Sequence, residues 1–219
     1  MREVVKRITT PVFQAFVKRY FRKRRKWRFK DIEIDVSPGV FFPHFTLSTR
    51  VLLEFIEPLD LTGKTFLELG CGTGAISVLA AKKGAVVTAT DINQEAVDNA
   101  RHNASLNGVE YVVITSDLFE QIPNQAFGFI AINPPYYPRD PQNMEEKAWY
   151  CGEHFEYFEK LFSTLGAYTN GDSQVFMILS EDCDVARIEE TASRYGIGIS
   201  KVLEKKRWGE RNFIFQLKE

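Results

Sequence analysis

The residues best placed to do chemistry are Asn133-Pro134-Pro135-Tyr136, which end an apolar run at Phe127–Ile132. Two consecutive prolines remove two N–H donors and fix the backbone, which turns carbonyl oxygens outward as acceptors. The Asn133 side chain adds another carbonyl, and Tyr136 and Tyr137 add flat faces on which a planar group can rest. An NH2 conjugated to a ring or carbonyl is a poor nucleophile because its lone pair is delocalised. Two acceptors holding its protons turn that lone pair toward an electrophile, so positioning and electrostatic fit replace a strong base. The plainer alternative is a proline-ended loop in which Asn133 is an ordinary turn residue.

A second constellation lies upstream. Thr65–Leu69 runs into Gly70-Cys71-Gly72-Thr73-Gly74 and then into the helical Ala75–Ala81. Glycines at such a turn let a ligand approach where a Cβ would stand, and the helix beyond presents free N–H groups. Asp91 ends the next β-rich run, where a carboxylate can accept from both hydroxyls of an adenosine ribose. An adenosine-containing cofactor is the expectation. Gly70, Gly72 and Ala75 also fit G-x-G-x-x-A, so on this loop alone an NAD-dependent oxidoreductase stays open, as does a ligand-free turn.

These residues need a frame, and the pattern supplies one. Strands are expected at 65–69, 86–90, 110–114, 127–132 and 174–179, with helices near 74–83, 93–106, 154–165 and 183–195. That alternation calls for a parallel sheet covered on both faces. Two closing strands, 197–203 and 212–217, lie too close together for a crossover helix, so an antiparallel hairpin edge is expected. In an open parallel sheet, ligands bind at the carboxyl ends of the strands. The two motifs therefore face one cleft.

The 219 residues carry a formal net charge of −1 that hides an asymmetry. Twelve of the 28 Lys and Arg, against one of the 29 acids, lie in residues 1–30, leaving +11 there and −12 over the rest. A basic N-terminal helical arm is expected over 1–36, starting near Thr10 and Pro11, with the remaining domain at 37–219. Its segment 18–30 is a candidate RNA contact; a solvated helix face and a membrane-surface helix are the other readings. A turn is expected at Ser37-Pro38-Gly39, and Asp31–Val36 reads as a linker or short strand. No apolar run approaches the roughly 20 residues of a membrane span. Cys71, Cys151 and Cys183 show no metal-type spacing, so no metal and a cytoplasmic location are expected.

With both motifs in place, residues 60–180 resemble class I S-adenosylmethionine-dependent methyltransferases of the small-methyltransferase and HemK-like group. The resemblance rests on Leu67–Gly74, Thr90-Asp91-Ile92-Asn93, Ser116-Asp117-Leu118-Phe119 and Asn133–Tyr136. It implies a Rossmann-like α/β fold with a mostly parallel seven-stranded sheet, and S-adenosylmethionine as cofactor, released as S-adenosylhomocysteine. It places Glu68, Gly70, Cys71, Gly72 and Gly74 along the methionine part, Asp91 with Ile92 at the ribose, and Asp117 with Leu118 at the adenine. Asn133 would touch cofactor and acceptor, and with Pro134, Pro135 and Tyr136 would hold the accepting NH2. Phe42, Pro43, Thr49, Tyr136 and Tyr137 are expected at the substrate mouth. Glu68 also reads as a solvated strand-end acid, and Asp117 as a loop or capping residue.

HemK-like members methylate a glutamine amide in release factors, and relatives modify adenine or guanine amines in ribosomal or transfer RNA, or less often DNA. The partners implied are a release-factor protein or structured RNA and the ribosome. Trp149–Glu153 looks HemK-like. Val40–Thr49 lacks an acidic residue common there, its spacing is nearer to ribosomal-RNA relatives, and a short basic arm replaces the larger helical domain of bacterial release-factor enzymes. A catalytically inert RNA-binding adapter is a further alternative.

Overall fold

The computed structural model describes residues 23–41, 47–207 and 209–219. The helix expected from Thr10, and the mouth residues Phe42 and Pro43, lie outside them.

A hairpin comes first: β1 (Arg25–Phe29) and β2 (Ile32–Val36) pair antiparallel, with Lys30 at a φ of 52° in the turn. For residues 25–36 this corrects the reading as a helical arm, and β2 bears out the short strand expected within Asp31–Val36. Trp27 and Phe29, then Ile32, Ile34 and Val36, repeat every second residue, and that face joins the main core. The period of two outweighs the charge run, because Lys26 and Arg28 project to solvent between them. The hairpin belongs to the body of the protein. Helix α1 (Leu47–Ile56), unassigned in the sequence reading, follows.

The remaining elements alternate: β3 (Thr65–Leu69), α2 (Ala75–Lys82), β4 (Val86–Asp91), α3 (Gln94–Leu106), β5 (Val112–Thr115), β6 (Phe129–Ile132), α4 (Glu156–Leu165), β7 (Gln174–Ser180), α5 (Val185–Arg194), β8 (Gly198–Arg207) and β9 (Glu210–Lys218). Seven strands form one sheet in the order β5-β4-β3-β6-β7-β9-β8. The first five run parallel, and β9 pairs antiparallel with both β7 and β8, as expected.

Alternation along each strand sorts side chains to two faces. Phe66, Phe129, Phe176 and Ile178 face the side with the hairpin, α1 and α2. Their rings form a row across the sheet, with centroids 5.1 Å apart for Phe66–Phe129 and 5.2 Å for Phe129–Phe176, ending on Phe55 of α1. Leu67, Leu69, Ile130, Ile132, Met177 and Leu179 face the other side, under α4 and α5. The chain leaves β3 for β4 on one side and later returns to β6 on the other. The sheet therefore switches direction between β3 and β6, where a cleft opens at the strand tips. Among the described residues no helix is long and apolar enough to cross a membrane, and no cluster of three metal-type ligands occurs.

Candidate active site

Leu69 and Ile132 are register partners on β3 and β6. The residues that follow them, Gly70 and Asn133, thus begin the two loops side by side, as the sequence predicts.

The glycine loop is held by short local bonds. Gly70, Gly72 and Gly74 take φ values of 72°, 52° and 73°, a left-handed region that favours glycine. Cys71 N–H donates to Thr90 O at 2.8 Å, and Gly74 N–H to Cys71 O at 2.7 Å. A side chain on Gly74 would strike Tyr111 and Ala100, at 2.6 Å and 2.9 Å from its Cβ. A Cβ on Gly70 would meet nothing within 4 Å. That space is open to a ligand.

Asp91 closes the loop from β4. Its Oδ2 accepts from Gly72 N–H at 2.8 Å and its Oδ1 from Asn93 N–H at 2.9 Å. Each oxygen keeps another lone pair for a ribose hydroxyl. Burial pushes its carboxyl above the ordinary aspartate value. Ile92 beside it is half-buried.

Glu68 is no solvated strand-end acid: it is 4% exposed and accepts from both the N–H, at 2.8 Å, and the hydroxyl of Ser77 in the first turn of α2. Burial, with Asp91 adding to it, pushes its pKa up to about 8. Asp117 is ion-paired with Lys160 at 2.6 Å, and Lys160 also reaches Glu120 at 2.5 Å. Leu118 beside it is buried at a φ of 53°, a conformation costly for a side-chain-bearing residue. The cofactor read from the sequence fits this set: open space at Gly70, a backbone-anchored acid at Asp91 that can take a ribose, and a carboxylate at Asp117 that can take an adenine amine.

On the acceptor side, Asn133 Nδ2 donates to Thr49 Oγ1 of α1 at 3.4 Å. With its NH2 engaged there, Oδ1 is the atom that can accept. Pro134 is buried and Pro135 half-buried. Trp149 O accepts from both Tyr136 N–H, at 3.2 Å, and Tyr137 N–H, at 3.0 Å, and Cys151 N–H donates back to Tyr137 O at 3.0 Å. Residues 149–151 therefore strap the proline loop in place.

One expectation needs correcting. Tyr136 is only 7% exposed, packed in the core under α4 and α5 with its hydroxyl facing Ser180. Its face is covered because the loop turns it into the apolar layer. Tyr137, tilted 53° against it at 4.8 Å, is the less buried ring of the two. The sequence reading also missed Ser77, Tyr111 and the tie from Thr49 to Asn133; a bond between residues 84 apart leaves no local signal.

Residues 31–149 match the model of the methyltransferase small domain family, more than half of the chain. The chain belongs to that family. Membership decides against the nicotinamide reading of the glycine loop. A candidate protein N5-glutamine methyltransferase from Methanocaldococcus jannaschii is 47% identical over 108 residues, 49% of this chain and 52% of that protein. The chain spans about half or less of the length of the first curated relatives it matches. Among solved structures, the E. cuniculi Mtq2–Trm112 complex, described as responsible for methylation of the eRF1 translation termination factor, superposes with a TM-score of 0.64. It is 22% identical, over 83% of this chain and 99% of that one. The T. thermophilus 16S rRNA N2 G1207 methyltransferase, solved with AdoMet and guanosine, gives 0.63 at 18% identity, over 89% and 50%. These two likenesses establish the fold.

Proposed function

We propose that this protein is an S-adenosylmethionine-dependent N-methyltransferase whose acceptor is a planar NH2, and that the acceptor is a glutamine side-chain amide in a protein of the release-factor type. The observation that carries the reaction type is Asn133. Its amide follows β6 beside the start of the glycine loop, and with the nitrogen bonded to Thr49 the oxygen is the atom we assign to the acceptor's protons. The glutamine assignment is supported by the 47% identical relative.

The cofactor supplies a sulfonium methyl as electrophile. Asn133 Oδ1 and a proline-loop carbonyl accept the two amide protons, which aims the nitrogen lone pair in line with that methyl. Asp91 and the glycine loop fix the other reactant, so the chain contributes orientation rather than a base. The proton leaves to water after transfer, once the nitrogen is positive. Tyr137 covers the mouth and limits water during transfer.

A second reading, methylation of an adenine or guanine amine in RNA, is favoured by a cluster of cations beside the site. Arg50, next to Thr49, converges with Lys205 and Arg207 on the Glu54 carboxylate, three cations around one acid. Cations gathered in this way can also meet phosphates. Both readings are tested by incubating the protein with radiolabelled methyl donor and cell extract, then digesting with protease or nuclease. Label that persists through nuclease and maps to a glutamine-bearing peptide supports the first reading; label released by nuclease alone replaces it with the second. Binding of NAD with no affinity for S-adenosylmethionine or S-adenosylhomocysteine would reject both.

A further inference from the structure

Among the described residues strand β2 pairs with β1 on one side only. Its other edge lies against helix α3, and asparagines do the work of a neighbouring strand. Asn107 Oδ1 accepts from Glu33 N–H at 3.0 Å and its Nδ2 donates to Glu33 O at 2.7 Å. Asn103 Oδ1 accepts from Asp35 N–H at 2.9 Å and its Nδ2 donates to Asp35 O at 2.9 Å. Asn99 Oδ1 accepts from Ser37 N–H at 3.0 Å and its Nδ2 donates to Asp35 O at 2.8 Å.

The geometry explains why this works. Residues four apart on a helix rise about 6 Å, and alternate residues of a strand about 6.6 Å. A carboxamide carries the donor and acceptor of a peptide group. Asparagines at four-residue intervals thus meet the edge groups of residues 33, 35 and 37 in turn. Asn103, fully buried, spends its second hydrogen on Thr73 O at 2.9 Å, inside the glycine loop.

What the ladder holds runs straight to the site. Beyond Ser37 the chain turns, with Val40 N–H donating to Ser37 O at 3.2 Å. Gly39, at a φ of 79°, approaches so closely that a Cβ there would lie 2.2 Å from Glu95 Oε2. Its carbonyl accepts from Asn93 Nδ2 at 3.4 Å, two residues past Asp91. Phe41 then passes over Gly72, 3.9 Å from where a Cβ would be. Its ring meets Trp149 at 5.0 Å, the residue whose carbonyl straps the proline loop.

We infer that Asn99 and Asn103 are positioning residues for methyl transfer, which set the strip 37–41 across the cofactor cradle at Gly72 and against Trp149, while Asn107 anchors the remote end of the ladder. The inference rests on the assignment of that cradle to S-adenosylmethionine. Influence on the cofactor should fade along the ladder from Asn99, at the start of the strip, to Asn107, at the far end of β2.

The test measures S-adenosylmethionine affinity, Trp149 emission and the unfolding midpoint in the full chain carrying Trp27→Phe and Trp208→Phe. Asn99→Ala is expected to weaken cofactor binding roughly ten-fold and to shift Trp149 emission. Asn107→Ala is expected to lower the midpoint by a similar amount but keep affinity within about two-fold. Asn99→Asp, which keeps the acceptor for Ser37 and loses the donor to Asp35, should fall between. Phe41→Ala should reproduce the affinity loss with the ladder intact and the midpoint unchanged. Equal affinity losses at Asn99 and Asn107, following the midpoint alone, would overturn the inference by reducing the ladder to a structural role. Should Asn99→Ala fail to fold, Phe41→Ala decides: unaltered affinity there overturns it too. Failure of the unsubstituted protein to bind S-adenosylmethionine would instead sink the proposed function.

Discussion

The two halves of the cleft are built differently. The cofactor half is held by neighbours: Asp91 grips the N–H groups of Gly72 and Asn93, and Cys71 bonds the end of β4. The acceptor half is held from afar, by Thr49 on α1 for Asn133 and by Trp149 for the backbone of Tyr136 and Tyr137. A half whose loop bonds to itself and to the next strand keeps most of its shape, with Asn103 to Thr73 O and the strip 37–41 as its few long-range ties. One assembled from separate segments can change its acceptor when any of those segments changes, which suits a family fold matched by both protein and RNA methyltransferases.

The sharpest way to break this contrast is to cut each half separately. Asn133→Ala should leave S-adenosylmethionine affinity within about two-fold and lower kcat/KM roughly 100-fold, since a lost acceptor bond and misorientation combine. Isothermal titration alongside steady-state kinetics checks both numbers. Unchanged turnover would mean that Asn133 does not hold the acceptor. Asp91→Ala should do the reverse, weakening the cofactor about 10- to 100-fold and leaving kcat at saturating cofactor within a few-fold. Equal cofactor affinity in that variant would move the ribose elsewhere.

The same contrast governs what could be read from the sequence. The glycine loop and Asp91 were legible because local spacing determines them, as was the alternation of strands and helices from 65 onward. The β1–β2 hairpin was obscured because twelve basic residues in thirty read as a solvated arm, although Ile32, Ile34 and Val36 repeat with the period of a strand. The burial of Tyr136 was illegible for a different reason: N-P-P-Y fixes the backbone, while the direction of the ring depends on the apolar layer supplied by α4 and α5. Thr49 was named for the mouth, but its partner Asn133 only emerges once α1 packs over β7 and β9.

A smaller effect probes the cofactor half through Glu68. Its pKa of about 8 in the folded protein lies above the ordinary 4.5, so the native state keeps a proton that the unfolded chain has lost. Stability of the cofactor-free protein should therefore be highest below about pH 4.5 as far as this group is concerned, and fall as pH rises toward 8. Tm should fall across that range. Glu68→Gln, which can still accept from Ser77, should flatten that slope in thermal melts between pH 5 and 8. An unaltered slope would assign it to other carboxyls.

The smallest expected effect tests the acceptor half at its long-range tie. Thr49→Val keeps the shape of the side chain and removes the hydroxyl that accepts from Asn133 Nδ2. At 3.4 Å the bond is long, and the released NH2 can rotate toward the cleft, where it presents donors to an acceptor that itself needs its protons held. The expected outcome is a drop of about 3- to 10-fold in kcat, with cofactor affinity and Tm nearly unchanged. In Asn133→Ala the same valine substitution should cost nothing further, because the hydroxyl acts only through that amide. Additive losses would show that Thr49 touches the acceptor directly, and the acceptor half would then rest on two contacts of α1 and β6 rather than one relayed through the other.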